Sequence, residues 1–122
     1  KVFPSFWLTE SSHLLDWSVE TALEVAQVMR AQDALGHGQG IVVANAVPRD
    51  QQWDPDEHDR VLEEALTAAD EAGVRGKAVT PFLLSYIVTA SGGRSLEVNL
   101  ALARNNVRVA GKIATEWSRL NA

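Results

Sequence analysis

The apolar positions of this chain fall into one short continuous run and several helical faces, separated by glycine and proline. At the start, Phe3-Pro4-Ser5-Phe6-Trp7-Leu8 is aromatic and apolar, and Pro4 holds the residue before it extended. It reads as an extended segment or short strand feeding a loop. Thr21-Ala22-Leu23-Glu24 is a capping box, in which the Thr hydroxyl and the Glu carboxylate can each satisfy a backbone N–H left unpaired at a helix start. The spacing predicts a helix from Ala22 to about Leu35, with Leu23, Ala26, Met29 and Ala34 roughly on one side, Val25 and Val28 widening the face, and Gly36 as its left-handed terminator.

After Gly36-His37-Gly38-Gln39-Gly40, the run Ile41-Val42-Val43-Ala44 is continuous and β-branched, the pattern of a strand covered on both faces. It ends at Asn45-Ala46-Val47-Pro48, where Pro48 stops ladder pairing and opens a loop of the kind in which α/β proteins hold ligands. Asp54-Pro55-Asp56-Glu57 is the acidic start of a second helix, carrying Val61, Leu62, Ala65, Leu66 and Ala69 and stopping at Gly73. Thr80 and Pro81 form an N-cap and N1 pair for a third helix, whose Phe82, Leu83, Leu84, Tyr86, Ile87 and Val88 are apolar nearly all round, so that it is expected to be largely buried. Ser91-Gly92-Gly93 ends it, and Ser95 is placed to cap a fourth helix running to about Leu120, with Asn99, Leu102, Asn106, Val109 and Ile113 on one face. One strand cannot form a sheet alone. The expected fold class is therefore α/β: a layered fold with helices packed on a mixed sheet, most strands coming from an amino-terminal part outside this chain or from another chain.

Composition narrows the class. The 122 residues suit one domain or part of one. A hydrophobic content of 46% with 22% charged residues is that of a globular protein, and no apolar run approaches the roughly 20 residues of a bilayer-crossing helix, which argues against a membrane role. A formal charge of -5 without a Lys/Arg cluster argues against nucleic acid as a partner. Without cysteine there is no disulfide and no thiolate metal site. The start Lys1-Val2-Phe3-Pro4, which has neither an initiator Met nor a signal peptide's apolar core, reads as an internal cut in a longer protein.

Ionisable groups offer little convergence. His13, His37 and His58 are widely spaced, and Asp54-Pro55-Asp56-Glu57-His58 lacks the i, i+4 ligand face of a helical metal pair, so it reads as solvated helix-start charge. The G-x-G-x-G of residues 36–40 precedes a strand, whereas a phosphate-cradling loop follows one and opens a helix, so a turn is the better reading. Asn99 is the candidate of interest. It lies in the first turn of the last helix, after Gly92-Gly93, and an amide there offers two donors and an acceptor that match the carbonyls and N–H of a pyrimidine. On spacing and polarity alone, the better reading of Asn99 and Asn106, seven residues apart on one apolar face, is as structural amides bonded to nearby backbone.

Five segments, in order, resemble the pseudouridine-5'-phosphate glycosidase family: Phe3-Pro4-Ser5-Phe6-Trp7; Gly40-Ile41-Val42-Val43-Ala44-Asn45; Gly76-Lys77-Ala78-Val79-Thr80-Pro81-Phe82-Leu83-Leu84; Gly92-Gly93-Arg94-Ser95-Leu96-Glu97-Val98-Asn99-Leu100-Ala101-Leu102; and Asn105-Asn106-Val107-Arg108-Val109-Ala110. The resemblance covers the whole chain as the carboxy-terminal part of a single domain, less than half of such an enzyme. It implies a C-nucleosidase that reversibly splits pseudouridine 5'-phosphate into uracil and ribose 5-phosphate, with the opened sugar held on a lysine as an iminium electron sink. The family's nucleophilic lysine, acidic proton donor and manganese-binding aspartate fall in the amino-terminal segment outside this chain, and neither Lys77 nor Lys112 takes their place. Manganese is thus the implied cofactor, with no ligand here. Asn99 is the catalytic and substrate-binding position that the resemblance assigns, holding the base beside the lysine-bound sugar. The implied partners are that amino-terminal segment, a small-molecule sugar phosphate and a base, in a cytoplasmic homotrimer.

The chain departs from the family in two places. It has Asn45-Ala46-Val47-Pro48 where the family commonly has Asn-Pro-Ile-Pro, and Thr9 near a common arginine. The base-side loop therefore has room to differ, which leaves open a C-glycosynthase relative joining ribose 5-phosphate to an aromatic natural-product acceptor. A non-catalytic helical interaction module is the remaining alternative, disfavoured by the broad apolar helix faces it would expose.

Overall fold

The first helix begins where its unpaired N–H groups find partners. In this computed structural model, which describes residues 2–122, α1 (Ala22–Ala34) carries the full capping box: Glu24 N donates to Thr21 Oγ1 at 3.2 Å and Thr21 N donates to Glu24 Oε2 at 2.8 Å. The Thr21 hydroxyl first, and then the backbone N–H groups of Glu20 and Thr21, hold the Glu24 carboxyl below its ordinary value. Gly36, at φ 71°, closes the helix. Helix α2 (Pro55–Glu71) starts on Asp54, whose carboxylate accepts from Glu57 N at 3.0 Å, and is followed by Gly73 at φ 65°. Both helices lie where the sequence places them.

The third helix enters differently. A 3-10 turn over Gly76–Ala78 runs directly into α3 (Val79–Ala90), so Thr80 and Pro81 lie inside the first turn and Ala78 is the N-cap. Pro81 is tolerated there because N–H groups of a first turn have no helical acceptor. The expectation of an almost wholly buried helix is corrected too: only Ile87 is buried, while Leu84 and Val88 are 39% and 37% exposed. Helices α2 and α4 cover one side of α3 and leave the other open. Helix α4 (Arg94–Leu120) follows Gly92 and Gly93, both at positive φ, and starts one residue before the expected cap. Ser95 is instead buried, its N–H donating to Ser91 Oγ at 3.2 Å and its hydroxyl accepting from Ser91 Oγ at 3.1 Å.

The α/β expectation fails for the described residues, which are helical and contain no strand or sheet; their β-type pairing is a single isolated antiparallel bridge, Val2 to Leu14. Residues 41–44 make no backbone hydrogen bond among them, and Val42 is 89% exposed. A strand exists only through its cross-strand ladder. The β-branched run supplies the propensity, but no described segment lies alongside to complete it.

The core is built where irregular segments meet the helices. Trp7, Val47, Trp53, Val61, Ala65, Ile87 and Val98 form it, with Leu8, Leu62, Leu83, Tyr86 and Leu102 packed around. The Trp7 and Trp53 rings meet edge to face at 6.0 Å. Trp53 N donates to Trp7 O at 3.0 Å, Trp53 Nε1 to Glu57 Oε2 at 2.8 Å, and Trp7 Nε1 to Ser95 O at 3.0 Å. His58, expected among solvated charges, is buried with its ring edge-on to Trp53 at 5.7 Å and Nδ1 2.8 Å from Asp59 Oδ1. Helix α1 packs separately along α4, burying Val25 and Ala26.

Two predictions follow from these contacts. Ile87→Ala removes a side chain only 1% exposed and is expected to lower unfolding free energy by about 2–5 kcal/mol in denaturant titration, with Leu84→Ala costing less than half as much. Equal losses at both positions would contradict the one-sided burial of α3. Because the Glu24 pKa is lowered in the folded state, its contribution to stability is present above its unfolded pKa and is lost as pH falls through the folded value. Glu24→Gln should therefore flatten the acid limb of a thermal-stability profile; an unchanged slope would count against the capping box.

Candidate active site on helix α4

The face of α4 that carries Asn99 is crossed twice by irregular chain. At the helix start, Trp7 Nε1 binds Ser95 O, and Arg94 Nη2 donates to Gln52 O at 3.3 Å. Further along, Asn105 Nδ2 donates to Ala46 O at 3.0 Å and Asn45 Nδ2 to Asn106 Oδ1 at 2.8 Å. Thr9 joins the two crossing segments, its N–H donating to Gln52 Oε1 at 2.9 Å and its hydroxyl to Val47 O at 3.1 Å. Asn99 lies between these crossings, half-buried, above a floor in which Val98 is 1% exposed and Leu102 packs against the core.

The structure separates the two amides that sequence spacing treats alike. Asn106 is a structural amide bonded to Asn45, whereas Asn99 has no hydrogen-bond partner among the described residues. At 100° and 1.5 Å per residue the two differ by only about 20° around the helix axis and about 10 Å along it. The Asn45–Asn106 pair therefore stands on Asn99's side of the helix. The sequence reading puts Asn45 in its expected ligand loop without giving it a role and gives Asn105 none; the signal for Asn105 is its pairing with Asn106 in the middle of a helix, where asparagine is a poor former unless its side chain is used elsewhere.

Other candidates do not join this face. His13 and His37 are exposed and His58 is in the core, so the three histidines do not meet. Among the described residues, no group of three His, Asp or Glu side chains is placed to hold a metal ion. Gly36 closes α1 and residues 37–40 are irregular, opening no helix for a phosphate. Lys77 and Lys112 are both exposed, not buried as an activated Schiff-base lysine is. A cavity of about 640 Å³ lies between α1, the second half of α4 and residues 41–45; its lining includes Val25, Ile41, Val43, Val109, Ile113 and Lys112, but not Asn99. Among the described residues, no helix is long and apolar enough to cross a membrane.

An amide without a partner contributes little to folding. Asn99→Ala is expected to change unfolding free energy by less than about 0.5 kcal/mol, whereas Trp7→Phe, which removes the indole N–H donated to Ser95 O and leaves part of a buried ring's space empty, should cost about 1–3 kcal/mol. Denaturant titration of both variants checks this; a large loss at Asn99 would make it a structural amide after all.

Known proteins place this arrangement in context. Residues 1–116 match the family described as "Indigoidine synthase A like protein". Relatives named pseudouridine-5'-phosphate glycosidase include those of Frankia alni (53% identical, covering 95% of this chain and 32% of that protein), Streptomyces griseus (49%, covering 92% and 35%) and Caldanaerobacter subterraneus (41%, covering 97% and 38%). The resemblance carried by the five segments is thereby borne out, and the chain spans about a third of the length of the curated relatives it matches. Among solved structures, the prealnumycin C-glycosynthase AlnA, crystallised in complex with ribulose 5-phosphate, superposes with a TM-score of 0.81 at 24% identity, over 95% of this chain and 38% of that one. At that identity the likeness speaks for the fold. With 116 of its 122 residues matched, the chain belongs to the indigoidine synthase A-like family.

Proposed function

We propose that this chain is the carboxy-terminal part of a single-domain C-nucleosidase that reversibly cleaves pseudouridine 5'-phosphate to uracil and ribose 5-phosphate, with Asn99 holding the base. The observation that carries the assignment of the site is the half-buried Asn99 amide, left without a partner among the described residues on a helix face held by Trp7 at Ser95 O and by Asn45 at Asn106. The names of relatives at 41–53% identity support the reaction class.

A base joined to sugar through a C–C bond does not leave by simple protonation, so the reaction needs an electron sink on the sugar. An iminium formed with a lysine supplies one. The residues here do not fit that role or a metal site, since the lysines are exposed and no three acidic or histidine side chains converge among the described residues. The lysine, the acid and the manganese ligand belong in this reading to an amino-terminal part outside the chain, and the complete enzyme is a cytoplasmic homotrimer. The role of Asn99 is orientation: its two donors and one acceptor can pair with a uracil carbonyl and ring N–H, holding the departing or attacking carbon over the sugar.

A second reading, a C-glycosynthase joining ribose 5-phosphate to an aromatic acceptor, is favoured by the fold shared with AlnA. The test uses the protein at its full natural length, incubated with pseudouridine 5'-phosphate and manganese while uracil release is followed. Activity is expected, and Asn99→Ala should lower kcat/KM by about 100-fold, the scale of a misplaced substrate. An inert wild type that joins ribose 5-phosphate to an aromatic acceptor would favour the second reading, and full activity in Asn99→Ala would refute the site.

A further inference from the structure

Residues 45, 46 and 47 are tethered one after another by side chains from elsewhere: Asn45 Nδ2 to Asn106 Oδ1 at 2.8 Å, Ala46 O to Asn105 Nδ2 at 3.0 Å, and Val47 O to Thr9 Oγ1 at 3.1 Å. The stretch 41–47 has no backbone-to-backbone hydrogen bond among the described residues. The Val47 side chain, fully buried, anchors one end, and the polar tethers decide where the rest of the turn lies. Ordering an irregular backbone opposes folding, and three consecutive tethers offset that entropy loss, Asn106 and Asn105 from α4 and Thr9 from the amino-terminal segment. Of the two on α4, Asn106 is on Asn99's side of the helix, about 10 Å away at 1.5 Å per residue. The amide pair also leaves the Asn45 carbonyl oxygen and the Asn106 N–H donors without protein partners, so an acceptor and donors are presented together.

We propose that Asn106 is a positioning residue for the base: through its Oδ1 it holds Asn45 and the 45–47 turn against α4, so that the turn and Asn99 together define the space for a planar heterocycle bearing carbonyl and N–H groups. This rests on the functional reading above. In that reading the sugar phosphate is held by the amino-terminal part and not by these contacts. Loss of the tether should therefore weaken use of the base and spare use of the sugar.

The experiment compares wild type, Asn106→Leu and Asn106→Asp at full natural length, in the synthetic direction with uracil and ribose 5-phosphate, alongside NMR order parameters of the Ala46 and Val47 amides. Asn106→Leu is expected to raise KM for uracil about 10-fold, the scale of one lost hydrogen bond, while KM for ribose 5-phosphate changes less than about twofold. The order parameters of the turn should fall from about 0.85 to below about 0.6, with the melting temperature of the protein little changed. Asn106→Asp keeps an acceptor for Asn45 Nδ2 and should recover most of the loss. Equal rises in both KM values, lost order without a change in KM for uracil, unchanged order, or an Asp variant as impaired as the Leu variant would each overturn the proposal. A wild type inactive on uracil with ribose 5-phosphate and on pseudouridine 5'-phosphate overturns the functional reading instead, and the order parameters then decide the tether alone.

Discussion

Everything that gives α4 a defined face depends on the contact between Trp7 and Trp53. Neither residue lies in a helix, yet both are buried, and their rings, backbone and indole N–H groups tie four parts of the chain together. Trp53 reaches α2 through Glu57 and the amino-terminal segment through Trp7 O; Trp7 reaches α4 through Ser95 O. An indole suits this position because it buries a large apolar ring and spends its one donor on a fixed acceptor. Irregular backbone cannot be buried unless its polar groups are paired. The tryptophans supply the apolar burial, while Thr9, Gln52, Arg94 and Asn105 supply the pairing, and the result is two loops held on one helix.

The chemistry of that helix face follows from the kind of group used. The contacts around Asn99 are largely neutral amides, a hydroxyl and backbone carbonyls, with Arg94 as the cationic exception. Neutral donors and acceptors hold geometry without the desolvation penalty of buried charge. They are also poor acids and bases. A face of this composition can orient a substrate, whereas proton transfer and covalent capture of a sugar need ionisable groups of another origin.

Much of this architecture was legible in the sequence, and what was missed has a common cause. The capping box at Thr21, the Asp54-Pro55 start and the glycines at 36 and 73 are local devices, satisfied within a few residues, and they mark helix ends correctly. The start of α3 was misread because Gly76, at positive φ, begins a 3-10 turn that carries the chain into the helix before Thr80 can cap it. The strand at 41–44 depends on a ladder, and a ladder is a relation between distant segments that β-branched composition cannot supply. The same holds for the site. Asn99 could be singled out by its place after Gly92-Gly93 and by the family resemblance, but the partnership of Asn45 with Asn106 spans 61 residues and shows only in three dimensions. Likewise His58 looked like helix-start charge until Trp7 and Trp53 closed over it.

An unpaired amide at half-burial raises the question of how such a residue could discriminate between bases. While water reaches it, Asn99 exchanges one hydrogen-bond partner for another, and the net gain from binding is small. Discrimination grows only when the amide is covered, because a base lacking the matching group then leaves a buried donor or acceptor unsatisfied. The tethered 45–47 turn matters for this reason. A turn free to move could give way to a mismatched base and let water back to Asn99, whereas one pinned by Thr9, Asn105 and Asn106 cannot easily do so. If Asn99 holds the base as proposed, selectivity there would be a property of how firmly its neighbours are held as well as of its own donors and acceptor.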